Sequence, residues 1–163
     1  MKGIVIMGLL VNLLAGIGCS RSDEKTEWGV ATGEDGGFPM IARYRMTPPS
    51  SICTADFNKL FTITWKYASQ NQKRMPETAD VEKMNQFEDL LAKGLEAKGI
   101  GYMTVVVTHN CVREYQWYGK DSDHFMKVLN RSLSGQKPFP IEISISNDPG
   151  WNTYQEFTKA LRK

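Results

Sequence analysis

The side chains able to do acid–base, nucleophilic or metal chemistry are few and scattered. His109 and Cys111 stand two apart, and His124 lies beside Asp121 and Asp123. A metal site needs three or four convergent donors. A whole strand separates the two histidines, so they read as solvated turn residues, and no metal ligand or cofactor is expected. The chain has no Ser-His-Asp order, no glycine-rich phosphate loop and no HExxH helix, so no catalytic residue is assigned. Two groups remain that can line a binding cleft: Arg113 with Glu114, and Asp148 with Trp151 and Tyr154. The commoner roles of such residues are cross-strand pairing, helix capping and core aromatics. Arg43 and Arg45 share one face of an alternating run; they can contact an anion but read as a solvated strand face. Cys53 and Cys111 are a candidate disulfide closing a loop of roughly 60 residues, which would stabilise by about 4 kcal/mol in the chain-entropy model. The alternative is two reduced, partly buried thiols.

These residues must be positioned by a small set of elements. Trp28–Thr32 and Phe38–Met46 alternate apolar and polar residues across a Gly-Glu-Asp-Gly-Gly turn, which predicts a β-hairpin. Phe61, Ile63, Trp65 and Tyr67 mark one face of a strand. Val81, Met84, Phe87, Leu91 and Leu95 then form the stripe of a long amphipathic helix, with Thr78 as its cap and Gly99 and Gly101 as its stop. The β-branched run Thr104–Thr108, the turn His109-Asn110-Cys111 and Val112–Tyr118 make a second hairpin. Asp121 or Ser122 caps a helix with the stripe Phe125, Val128, Leu129, Leu133, and Gly135 ends it. Ile141, Ile143 and Ile145 define a half-buried strand. Asp148 caps a last helix with Pro149 in its first turn, burying Trp151, Tyr154, Phe157 and Leu161.

From Phe61 the order is βαββαβ, which is α+β and ferredoxin-like: an antiparallel sheet with both helices on one face. The leading hairpin extends the sheet, and the final helix is expected across an edge or end.

The N-terminus has a different character. Lys2 precedes an apolar run, Ile4–Ile17, too short to span a bilayer but suited to a signal-peptide core. It ends Ala15-Gly16-Ile17-Gly18-Cys19, small residues before a cysteine, as in bacterial lipoprotein signals, although Gly16 stands where an aliphatic residue is usual. Residues 1–18 are therefore read as a lipoprotein signal peptide, Cys19 as the lipidated residue, 19–26 as a tether and 27–163 as one domain. The alternatives are an ordinary secretory peptide cut near the same place and an uncleaved anchor. Ser20, rather than an aspartate, leans towards the outer membrane.

The chain carries 20 basic and 18 acidic residues, and loss of Lys2 with the signal leaves it near neutral. Such balance does not suit nucleic acid. Arg113–Tyr118 also lacks the glycines and spacing of an RNA-recognition strand.

Three patches resemble the bacterial domain of unknown function 695 family. Met84-Asn85-Gln86-Phe87-Glu88-Asp89-Leu90-Leu91 is similar to its leucine- and acid-rich helix. Val106-Val107-Thr108 with Val112–Tyr118 resembles its valine-threonine strand, turn and Arg-Glu-aromatic strand. Asp148-Pro149-Gly150-Trp151-Asn152-Thr153-Tyr154 is similar to its closing segment. Cys111 departs from the glycine that relatives often carry in the turn. The resemblance implies no agreed activity and hence no site residues. The functional expectation is a lipid-anchored binding or accessory module on the periplasmic side of the cell envelope, without catalysis. Its partners would be the membrane, through its lipid, and an unidentified protein or small molecule. The alternative is an enzyme of unrecognised type with a cleft near Arg113, Glu114 and Asp148.

Overall fold

Strand alternation and helix periodicity sort the described residues into six strands and three α-helices. The computed structural model describes residues 27–161; the expected signal peptide, Cys19 and the expected tether lie outside the described residues. The elements are β1 (Trp28–Asp35), β2 (Phe38–Arg45), β3 (Lys59–Lys66), α1 (Thr78–Leu91), β4 (Gly101–His109), β5 (Val112–Gly119), α2 (Ser122–Ser132), β6 (Ile141–Asn147) and α3 (Asn152–Leu161). The fold is mixed α+β. Every strand pairing is antiparallel, in one sheet ordered β1-β2-β4-β5-β3-β6. This order differs from a four-stranded βαββαβ sheet by the β1–β2 hairpin, which continues the sheet beyond β4.

Because alternate residues of a strand face opposite sides, the inner strands β3, β4 and β5 contribute to two cores. On one side α1 supplies Met84, Phe87 and Leu91, and α2 supplies Phe125, Val128 and Leu129, against Phe61, Ile63, Trp65, Tyr115 and Trp117. Burying each of these large apolar side chains contributes about 1.5–3 kcal/mol relative to leaving it exposed. On the other side α3 brings Tyr154, Phe157 and Leu161 onto Leu60, Val105, Tyr118, Ala31 and Ala42. The final helix thus lies on the opposite face from α1 and α2, not across an edge or end. The physical reason is a second apolar set, Leu60, Val105 and Tyr118, on that face. An irregularity in β4 between Met103 and Val105 lets Met103 and Val106 both join the α1/α2 core.

Two cap assignments also change. Glu77, not Thr78, holds the N-cap of α1, without a side-chain cap bond. Asp148 does cap α3, but Pro149 lies in the turn before the helix. Past Leu91 the helix widens into a π-turn, Ala92–Glu96, that carries Leu95 into the core. Gly94 sits there against α2, where a Cβ would stand 1.8 Å from Ser132 Oγ; only glycine allows this approach. Among the described residues no helix is long and apolar enough to cross a membrane.

Candidate functional site

The Asp148 group forms a closed clamp. Tyr118 Oη donates to Asp148 Oδ2 at 2.6 Å, and the N–H groups of Asn152 and Thr153 donate to the same carboxylate at 2.9 Å each. Burial alone would push this carboxyl up, but the hydrogen bonds from Tyr118, Thr153 and Asn152 more than offset it and hold Asp148 below the usual carboxylate range. Burial first, then the bond to and charge of Asp148, pushes the Tyr118 phenol up. Trp151 stacks on Tyr118 with centroids 4.2 Å apart, and its indole N–H donates to Phe57 O at 2.8 Å. Its backbone is left-handed, φ 58°, an unusual state for a bulky residue that this packing holds in place. Tyr154 Oη donates to Arg45 O at 2.8 Å. Asp148, Trp151 and Tyr154 therefore fasten α3 to the sheet, and none presents a free polar group to a ligand.

Arg113 and Glu114 do not join them. They are strand neighbours, so their side chains diverge. Arg113 Nε donates to Thr108 Oγ1 at 2.8 Å, and its Nη1 lies 3.6 Å from Glu88 of α1. Glu114 accepts from Gln116 Nε2 at 3.1 Å on the other side of the sheet. Both lie near the Val112 end of β5, whereas Tyr118 and Asp148 meet at its Gly119 end. The cleft expected near Arg113, Glu114 and Asp148 is not assembled.

Arg43 and Arg45 do share a face, but it is solvated only in part: the Arg43 side chain stays 41 % exposed while Arg45 is buried. Arg45 is 3 % exposed, pairs with Glu96 and donates from Nε to Met103 O at 2.6 Å. Arg43 pairs with Glu88. Glu88 of α1 and Glu96 of the π-turn after it supply the two carboxylates that make these pairs.

Cys53 and Cys111 are free thiols. The segment after Cys53 lies at the Gly119 end of the sheet, where Asp56 accepts from Lys120. Cys111 adjoins Val112, which pairs with Lys66 at the other end. Strand β3 lies between them, roughly 25 Å long, far beyond the ~7 Å limit for bridging Cα atoms, so the disulfide is corrected to two unpaired thiols. His109 lies 3.8 Å from Asp35, and the His124 backbone N–H donates to the α2 cap Asp121. Among the described residues no group of three His, Cys, Asp or Glu converges as metal donors.

The structure instead opens a cleft of about 700 Å³ between the first half of α1 and the connection from α2 to β6. Trp65 and Tyr67, at the end of β3, and Phe139 form its apolar wall; Phe139 packs 5.5 Å from the Trp65 ring and 5.2 Å from Phe87. Asp80, Lys83 and Gln86 come from one side, at helical spacing, and Gln136 and Lys137 from the other. Gln86 Nε2 donates to Gln136 Oε1 at 2.9 Å across the gap, and Lys83 lies 3.9 Å from Asp80. The Tyr67 hydroxyl donates to Arg74 O at 3.1 Å. Burial, with a smaller contribution from Cys111, pushes the Tyr67 phenol up to about 12, so it stays neutral at physiological pH. The cleft thus offers apolar surface, amide groups, three lysines (Lys66, Lys83 and Lys137) and the Asp80 carboxylate, which is recognition chemistry. Sequence reading passed over it because Trp65 and Tyr67 look like ordinary core residues. The available signal was Phe139, an aromatic residue between Pro138 and Pro140 in a polar connection.

The three family-like patches correspond to the α1 stripe, the β4–β5 hairpin and the α3 clamp. No curated protein and no solved structure matches the chain. Residues 26–158 match the model of the DUF695 family, described as a family of unknown function, and the chain belongs to that family.

Proposed function

We propose that the protein is a binding module tethered to the bacterial cell envelope, with acylated Cys19 in the membrane and the α1/β6-side cleft as its ligand site. The observation that carries the binding site is the cleft itself. Its volume of about 700 Å³ falls within the usual ~300–1,000 Å³ of small-molecule sites, and such sites combine an apolar wall with a few placed polar groups. Lys83 and Lys137 on the rim favour a small anionic molecule with an apolar body. The tether, the lipoprotein-like signal and Ser20 support a periplasmic location, with the outer membrane favoured. We read β3-α1-β4-β5-α2-β6 as a ferredoxin-like unit to which β1–β2 and α3 are added; the placement of β3 between β5 and β6 supports this reading.

Two measurements test the proposal. Metabolic labelling with an alkyne fatty acid should mark the wild type and not Cys19→Ala; equal labelling refutes the anchor. Anilinonaphthalene sulfonate, an anionic aromatic probe, should bind saturably with enhanced emission. The double variant Lys83→Glu/Lys137→Glu should weaken that binding at least ~10-fold, a loss of about 1.4 kcal/mol. Unchanged affinity in a folded double variant rules the cleft out as the anion site.

A further inference from the structure

Among the described residues four large apolar side chains stand exposed: Val30 (63 %), Met46 (44 %), Ile145 (44 %) and Ile41 (43 %). Scattered exposed aliphatics are normal. These are not scattered: three belong to the β1–β2 ribbon or follow it directly. Val30 lies opposite Arg43, and Ile41 opposite Thr32, so both stand on one face of the ribbon. Trp28 shares that face, its ring 5.2 and 5.3 Å from the guanidinium carbons of Arg43 and Arg45. Met46 follows β2 where its N–H donates to Glu27 O, beside the start of β1. Helix α1 and the π-turn after it reach this face through the Arg43–Glu88 and Arg45–Glu96 pairs, and beyond them Val30 and Ile41 remain open.

We propose that this face of the ribbon, with Trp28, Val30 and Ile41, is a contact surface for a phospholipid bilayer. The proposal rests on acylation of Cys19 and goes beyond it by fixing which side of the domain meets the lipid. Residues 20–27 alone separate Cys19 from Trp28, so even a fully stretched chain keeps the start of β1 within about 30 Å of the anchor. The opposite sheet edge, β6, lies five strand spacings away, on the order of 24 Å, and carries the comparably exposed Ile145. Tryptophan and aliphatic side chains are residue types that settle at the headgroup boundary. Glu34 lies on the same face beyond the Thr32–Ile41 pair and bounds the apolar patch on the side of the turn. The contact orients a domain that the acyl chains already hold.

The test uses the full acylated protein in vesicles of phosphatidylethanolamine and phosphatidylglycerol. Trp65, Trp117 and Trp151 are at most 1 % exposed, so a brominated phospholipid should quench only the Trp28 share of the emission, and Trp28→Phe should abolish the quenching. In a Cys53→Ser/Cys111→Gly background, an environment-sensitive fluorophore is placed by Val30→Cys, Ile41→Cys or Ile145→Cys. Positions 30 and 41 should show blue-shifted emission and several-fold stronger quenching than position 145. Equal quenching at all three positions, with Cys19 acylated by mass spectrometry, overturns the membrane contact while leaving the anchor standing. An unmodified Cys19 overturns the anchor and the contact with it. A blue shift that appears without vesicles and grows with protein concentration means a second copy of the chain covers the ribbon, and this too overturns the proposal.

Discussion

The two ends of the β3–β5 strand pair use aromatic residues in opposite ways. At the end where Lys59 pairs with Gly119, Tyr118, Trp151 and Tyr154 bury their rings and direct every polar handle to a partner within the domain. At the end where Lys66 pairs with Val112, Trp65, Tyr67 and Phe139 also make an apolar surface, but the groups above it are amides, ammonium groups and a carboxylate facing an open cleft. A saturated network rigidifies and specifies a fold. A polar rim over an apolar wall is left free to recognise something else. The segment with the most recognisable sequence therefore serves the fold, and the cleft is built from residues with no signature.

Three measurements can break or sharpen this contrast, and the largest effect belongs to the clamp. Trp151→Ala should cost about 3–5 kcal/mol through the cavity and the lost stacking, read by urea denaturation; a loss well under 1 kcal/mol would mean the clamp is not structural. Asp148→Asn should cost about 2 kcal/mol at neutral pH, because the bonds to a buried charged acceptor are weakened. It should also change the acid limb. The folded carboxyl lies below its unfolded value, so its stabilisation is fully present above about pH 3.9 and is lost as pH falls through the lower folded value. The wild type should therefore lose stability in that acid range more steeply than the variant; parallel pH curves would remove the charge from the account. The smallest stability effect belongs to the cleft. Gln86→Ala/Gln136→Ala deletes an exposed amide bond and should shift unfolding by less than about 1 kcal/mol, while changing probe affinity several-fold. A large stability loss without an affinity change would make the cleft a structural seam like the clamp.

The strands and helices were legible because local periodicity carries them. The helical stripe Val81, Met84, Phe87, Leu91, Leu95 and the alternation of Phe61, Ile63, Trp65 need only their own spacing to declare a buried face; all are buried as read except Val81, which is half-buried. The β4–β5 turn was legible as well: Asn110 and Cys111 have φ of 40° and 63°, the paired left-handed geometry of a two-residue hairpin loop, where glycine is favoured at the second position. Asp148 as a cap was readable from its proximity to a helix start. The fate of Arg43 and Arg45 was not, because the carboxylates that bind them, Glu88 and Glu96, come from 45 and 51 residues away. The Cys53–Cys111 pairing failed for the same reason: an even count of thiols says nothing about which end of a strand each occupies.

The sequence by itself thus determined the main strands and helices, most of their buried stripes (Ile145 of β6, read as buried, stands 44 % exposed) and membership in a family. These follow from contacts within a few residues of each other, where side-chain period and turn chemistry are decisive. Only the tertiary structure decided that α3 crosses the face opposite α1 and α2, that Arg113 and Glu114 part company with Asp148, and that Phe139 meets Trp65 beside a cleft. Each depends on which strands become neighbours in the sheet. That choice is made by the summed burial of both faces, a long-range quantity that no single stretch of the chain contains.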